Sequence, residues 1–181
     1  MPLPSPTPDE LQAGRFTLHI LTAADWRLEQ ALSMDADVIH WTLFPPCLSN
    51  EGARLRMQRV AEARGESLLA RYSLREGDEV LGTAGISCSV DGTPELMYAL
   101  LPSGRGRGAA TAATRGLSEW ALANGIRKLS LRTIAGNILS EAVAQRSGFR
   151  ARRTEQQRQR EAWVKMRYWT RSRAGLPYGP L

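Results

Sequence analysis

The sequence predicts a single α/β domain: a mixed, mostly antiparallel central sheet flanked by helices. Three observations predict it. The chain has 181 residues, the size of one domain with a real core. Its apolar period changes along the chain, from helical before about residue 64 to strand-like from 68 to 101. After residue 101, helix-like and strand-like segments alternate, the pattern of layered α/β architecture. The expected boundaries are a flexible N-terminal tail over 1–13, the domain over 14–174 and a C-terminal tail over 175–181.

Met1–Pro8 holds four prolines and reads as a tail or an extended arm. Phe16–Leu21 is a first strand. Thr22 is placed to cap a helix running to about Ser33, with Trp26, Leu28 and Leu32 apolar. Asp37–Trp41 is a short helix that Pro45-Pro46 ends. Asn50–Arg64 is another helix, its apolar Leu55, Val60 and Ala63 interrupted by charges. Leu68–Leu74 and Val80–Val90 read as strands joined by a turn at Gly77-Asp78, and Gly92-Thr93-Pro94 leads into a strand over Glu95–Leu101.

Gly108–Asn124 is the clearest helix, because Ala113, Leu117, Trp120 and Ala121 share a face and Gly125 supplies the stop. Lys128–Ile134 alternates as a strand. Asn137 caps a helix to Ser147, which Gly148 stops, and Phe149 to about Arg173 forms two strands joined near Gln159. No internal repeat or domain linker interrupts this order.

Composition removes several function classes. No apolar run approaches the length of a membrane span, and the N-terminus resembles neither a secretory nor a transit signal. Cys47 and Cys88 can build neither a disulfide framework nor a zinc site, so no metal is expected and the cytoplasm is the default compartment. The net charge is +6, and it concentrates between Arg146 and Arg173, where only Glu155 and Glu161 oppose the cations. Such a stretch suits a polyanionic partner or a solvated hairpin face. It lacks the aromatic spacing of an RNA-binding sheet and any helix-turn-helix pattern, so nucleic acid is not an expected partner.

Leu101–Thr111 joins a strand directly to the best helix and carries Gly104, Arg105, Gly106, Arg107 and Gly108. The first turn of a helix has unpaired N–H groups and the positive end of the helix dipole. Gly106 and Gly108 let a diphosphate approach that backbone, and Arg105 and Arg107 are expected to add mobile charge at its rim. The loop is not a Walker A loop, which would end in Gly-Lys-Ser/Thr. Its glycine spacing and preceding antiparallel strands do not suit a dinucleotide fingerprint. The plainer reading is a flexible loop that needs glycine at positive φ.

The residues Arg105-Gly106-Arg107-Gly108-Ala109-Ala110 resemble the pyrophosphate-loop signature of the GNAT acetyltransferase superfamily, in particular its RimJ/RimL type. Three further motifs stand in register with it: Glu95-Leu96-Met97-Tyr98 before the loop, Trp120-Ala121 in the following helix, and Asn137–Val143 followed by Gly148-Phe149. The resemblance implies a GNAT-like fold and acetyl-CoA as donor, with direct transfer of acetyl to a primary amine on a small molecule or a protein N-terminus. An alternative is a non-catalytic acyl-CoA-binding or sensor protein of the same fold. The assembly state stays open between monomer and homodimer.

The resemblance also implies site residues. Cofactor contacts fall on Leu100, Leu101, Arg105, Gly106, Arg107, Gly108, Ala109, Ala110, Thr111, Asn137 and Ser140. A backbone N–H near Leu100 faces the thioester oxygen, and Ser140 hydrogen-bonds the departing sulfur. Glu95 is the first candidate for the base and otherwise a solvent-facing strand charge. Tyr98 is a proton relay or a core aromatic. His40 and Trp41 line the acceptor pocket or pack as ordinary residues. Met97 and Ala99 depart from the glycine and aromatic usual in similar proteins, and Ala109 replaces a commonly larger residue. These changes bear on the acceptor more than on the donor.

Overall fold

A computed structural model describes residues 3–88 and 92–173. Eight strands form one sheet in the order β1-β2-β3-β4-β5-β6-β8-β7. They are β1 (Glu10–Ala13), β2 (Phe16–Ile20), β3 (Leu69–Glu76), β4 (Glu79–Cys88), β5 (Pro94–Leu100), β6 (Lys128–Ile134), β7 (Arg150–Gln159) and β8 (Ala162–Ser172). The helices are α1 (Trp26–Met34), α2 (Ala36–Trp41), α3 (Asn50–Gly65), α4 (Ala109–Ala123) and α5 (Ile138–Arg146). Every pairing is antiparallel except β5 with β6.

The caps fall where the residue types require them. Thr22 and Asp25 close a capping box on the short turn Ala23–Asp25 that opens α1. Asp35, Ser49 and Asn137 accept N–H bonds from Val38, Gly52 and Ser140 and start α2, α3 and α5. The alternation of β3 sends Ala70, Tyr72 and Leu74 to one face, in a common core with Ala113, Leu117 and Ala121 of α4. Leu69 and Arg71 turn to the opposite face, where Leu69 packs with Met57 and Val60 of α3.

One expectation about the chain's ends needs correction. The segment 1–13 is not simply a tail: Glu10–Ala13 pairs with β2, Leu3 is buried, and its N–H donates to the Ser67 carbonyl at 2.8 Å. Hydrogen bonding and burial tie this stretch down although its prolines forbid regular structure in its first part. The basic hairpin is largely solvent-exposed along β7, yet its tip is anchored. Gln159 Nε2 donates to the Thr42 carbonyl at 2.7 Å, and Arg160 donates to the carbonyls of Ile39 and Phe44 at 2.6 Å each. The end of the strand expected over Val80–Val90 and the C-terminal tail 175–181 lie outside the described residues. No described helix is long and apolar enough to cross a membrane.

The feature that matters for chemistry is the joint between β5 and β6. These parallel strands pair only at Glu95–Ser130 and Leu96–Leu131. Beyond that point, among the described residues, β5 continues to Leu100 without a β6 partner. The sheet is therefore split at its middle.

Candidate active site

Backbone alternation decides what faces the split. Leu101 N–H donates to the Leu81 carbonyl on the β4 side at 2.9 Å. Neighbouring residues of a strand direct their N–H and C=O groups to opposite edges, so Tyr98 and Leu100 present theirs to the split. Buried polar backbone groups require partners, and here an extended ligand with amide groups can supply them. The same logic corrects one residue: the Leu101 N–H is spent inside the sheet and cannot serve a ligand there.

At the end of β5 the chain makes a short 3-10 turn over Pro102–Gly104 and enters α4. Gly106 (φ 73°) and Gly108 (φ 80°) both adopt left-handed backbone, which only glycine takes without strain. Gly108 is the helix cap and has no side chain to bond the first-turn amides. The first turn also lacks an acidic residue. The first helical bond beyond the cap is that of Ala112 N–H to the Gly108 carbonyl, so the amides of Ala109, Ala110 and Thr111 precede it. A cluster of backbone donors with the helix dipole behind them thus stands uncapped at the end of the split.

Arg105 and Arg107 do not extend from this loop as mobile charges. Arg105 bonds Asp35 and Asp37, the latter at 2.8 Å, and donates to the Leu100 carbonyl at 3.2 Å. Arg107 bonds Glu76 and Glu79, the latter at 2.7 Å. Carboxylates within reach compete for guanidinium charge more directly than solvent does. The arginines brace the loop against α2 and the β3–β4 turn.

A cavity of about 270 Å³ opens at the split. Its walls come from Trp41–Phe44 after α2, Arg56 of α3, Arg71 of β3, β4, Glu95–Ala99, Leu131–Ile134, the α5 start and the hairpin tip. Alternation along β5 places Glu95, Met97 and Ala99 on the α1–α3 face and Tyr98 on the α4–α5 face. The Tyr98 hydroxyl is buried without a hydrogen-bond partner among the described residues. Burial pushes its ionisation up to about 12, and the nearby Ser140 hydroxyl offsets this in part without reaching hydrogen-bond geometry. Glu95 lies against Arg132, whose Nε donates to Glu95 Oε1 at 2.7 Å.

The distribution of these groups invites comparison with known proteins. Residues 15–150 match the family model described as acetyltransferase (GNAT) domain.

The chain belongs to the GNAT acetyltransferase family.

Solved GNAT structures resemble it closely in fold at low identity. RimL, a ribosomal-protein alpha-N-acetyltransferase in complex with coenzyme A, is 15% identical, with TM-score 0.75, covering 90% of this chain and 97% of its own. The microcin C7 self-immunity acetyltransferase MccE, in complex with acetyl-CoA and AMP, is 14% identical with TM-score 0.77, covering 92% and 97%. A ribosomal-protein-alanine acetyltransferase from Vibrio fischeri is 16% identical with TM-score 0.74, covering 94% and 99%. No curated protein matches the chain.

Within this GNAT domain the structure brings together Glu95, Tyr98, Asn137, Ser140 and Trp41 at one cavity. His40 is not among its lining residues: it is exposed on α2, packed edge-on against Trp41 with ring centroids 4.4 Å apart. A residue next to a lining position on a helix points about 100° away from it, so adjacency to Trp41 did not carry His40 inward. Ala99 is buried with Leu32, Val38 and Phe44. The space of an aromatic side chain on β5 is thus occupied by Phe44, from another element. Arg56, Arg71, Thr83, Gln159 and Met166 also line the cavity, and sequence reasoning missed them all. The apolar alternation of Ala70, Tyr72 and Leu74 sends Arg71 to the other face and gave no sign that helices cover it there.

Tyr72 is also pushed up to about 12, by burial first, then with Arg64 opposing and Asp9 reinforcing the shift. Both tyrosines therefore have folded values above the ordinary value of 10, so their stabilisation is complete below pH 10 and fades as pH climbs toward 12. The urea midpoint is expected to fall between about pH 9 and about pH 11.5, and Tyr98→Phe is expected to shallow that fall. An unaltered slope in the variant would show that Tyr98 ionises no differently in the folded chain.

Proposed function

We propose that this protein is an acetyl-CoA-dependent N-acetyltransferase that passes acetyl directly to a primary amine, acting in the cytoplasm. One observation carries the reading: the β5 edge at Tyr98 and Leu100 has no β6 partner, only the Leu100 carbonyl being held by Arg105, and it leads to the uncapped donors of α4. Spacing along that path suits a ligand with an amide-bearing arm at one end and a diphosphate at the other.

In this reading the pyrophosphate of CoA sits on the backbone amides between Gly106 and Thr111, and its pantetheine arm pairs with β5 through the split. The thioester lies beside Tyr98 with its carbonyl oxygen toward the Leu100 N–H, which stabilises the oxyanion as it develops. The amine enters from the α1–α3 face, where Glu95 lies, and loses a proton by way of the Glu95 oxygen not bound to Arg132 or a water on it. Its nitrogen attacks the carbonyl carbon, the tetrahedral intermediate collapses, and the C–S bond breaks. The sulfur departs as a thiolate toward the α4–α5 face, where Ser140 hydrogen-bonds it, and the Tyr98 phenol passes it a proton while taking up the second proton that the new amide nitrogen sheds. A phenol held near 12 is protonated at neutral pH, so Tyr98 serves as the acid and not as the base for the incoming amine. The Asn137 side-chain oxygen caps α5 through Ser140 N–H at 3.1 Å, and its amide nitrogen can donate to the pantetheine arm.

Two measurements test this. CoA is expected to raise the melting temperature, because it binds only the folded state. Thiol release from acetyl-CoA is then expected with some members of a primary-amine panel. A CoA-stabilised protein silent across a broad panel would be a sensor and not a transferase. Ser140→Ala is expected to lower kcat on the order of tenfold, the loss of one hydrogen bond to a charged group, with a smaller change in the apparent acetyl-CoA constant. The reverse pattern in steady-state kinetics would make Ser140 a binding residue.

A further inference from the structure

The α1–α3 side of the cavity holds more positive charge than its carboxylates balance. Arg71 of β3 is 4% exposed and Glu29 of α1 is fully buried. Glu29 Oε1 accepts from Arg71 NH2 at 2.7 Å, while Oε2 accepts from Arg71 NH1 at 3.0 Å and from Arg56 Nε at 2.6 Å. One carboxylate thus serves two guanidiniums. Arg71 NH2 also donates to Thr83 Oγ1 at 3.3 Å, but the Arg71 Nε–H is buried without an acceptor among the described residues.

The placement of Arg71 is built into the sheet. Its partner across the β3–β4 ladder is Gly85, and a Cβ there would lie 2.9 Å from Arg71 Cγ. A Cβ there would also lie 2.6 Å from the Ala70 carbonyl oxygen, so glycine at that position spares the β3 backbone as well as the arginine stem that lies over it. Arg56 and Arg71 both line the cavity, whereas Glu29 stands behind them. The one carboxylate among the described lining residues is Glu95, already bonded to Arg132. Arg56, Arg71 and Arg132 against Glu29 and Glu95 leave one positive charge unmatched at the wall. A brace for Glu29 would need one arginine. A second, partly exposed at the cavity wall beside the orphaned Arg71 donor, is placed to take an anion from the cavity.

We propose that the acceptor is an amine that also carries a carboxylate, and that Arg56 and Arg71 hold this carboxylate while the amine reaches the thioester. The proposal rests on the acetyltransferase reading and adds the substrate class. Guanidinium forks suit a planar carboxylate. A cavity of about 270 Å³ shared with the acetyl group admits a partner the size of an amino acid or one end of a peptide.

Matched acceptors test it: γ-aminobutyrate against butylamine, and a C-terminally amidated tetrapeptide with aspartate against asparagine at its second position. The wild-type protein is expected to favour the acid member of at least one pair by about tenfold in kcat/KM, and Arg56→Gln to reduce that preference to about twofold, the loss of one charge-assisted contact. Preference in the first pair alone identifies a free amino acid as the source, and preference in the second alone an acidic peptide. Arg71→Gln strips Glu29 of its buried partner and can fail to fold, so Arg56, with a third of its side chain exposed, carries the kinetic test. Thermal protection by N-acetyl-γ-aminobutyrate with CoA present, compared with N-butylacetamide, adds a readout independent of turnover. Equal rates within both pairs, or a preference that survives Arg56→Gln, would overturn the proposal while leaving the transferase intact. Protection that depends on Arg56, without thiol release from any amine, would uphold the carboxylate site and sink the transfer reaction. Neither protection nor release would end both.

Discussion

Gly108→Asp is expected to leave the protein folded and to weaken CoA binding by roughly 100-fold. The substitution is informative because its two effects separate. A Cβ at Gly108 meets nothing within 4 Å, so there is no steric cost. The left-handed backbone (φ 80°) penalises most side chains, yet Asp and Asn tolerate it best. The new carboxylate also reaches the uncapped first-turn amides, and that contact offsets part of the backbone cost. For CoA the consequences run one way. The donors are now occupied, and a negative charge about 5 Å from a phosphate costs ~3 kcal/mol at an effective dielectric near 20. Titration calorimetry on both proteins reads the difference. Gly108→Asn separates charge from capping, and it is expected to lose no more than about tenfold, since it fills the amides without adding charge. If Gly108→Asp binds CoA as tightly as the parent chain, the diphosphate does not lie on α4.

Tyr98→Phe is expected to lower kcat by about 100-fold, the low end of what a positioned proton donor contributes, with little change in affinity for acetyl-CoA. The hydroxyl that is removed is buried and has no partner among the described residues. Deleting such a group relieves a desolvation penalty, so the melting temperature should hold or rise. A fall in turnover without a fall in stability cannot be attributed to damaged packing, because the ring remains. Single-turnover measurement isolates the chemical step from product release. Unchanged kcat in the variant would reduce Tyr98 to a core aromatic, the other role its position allows.

The element order was legible in the sequence because most of its signals are local. Thr22 and Asn137 announce helix starts through their own side chains, and the structure shows each accepting its cap bond. The strand at Glu10–Ala13 was not legible: four residues next to a proline-rich stretch carry no period long enough to read. Ion pairing was equally hidden. Nothing near Arg105 or Arg107 in the chain foretells Asp35, Asp37, Glu76 and Glu79 as their partners, which lie between 28 and 70 residues away. The partner of Glu95 was hidden in the same way, since Arg132 comes from the neighbouring strand.

The sequence by itself determined the donor half of the site. A strand, two left-handed glycines and a helix start are contiguous, and the amide cluster is a property of that backbone whatever surrounds it. Only the tertiary structure decided the acceptor half. Glu29, Arg56, Arg71, Glu95 and Gln159 belong to five different elements, and each reads alone as an ordinary polar residue. What they do there depends on how much water the fold removes around them and which charges it brings within hydrogen-bond distance. No spacing along the chain encodes those quantities.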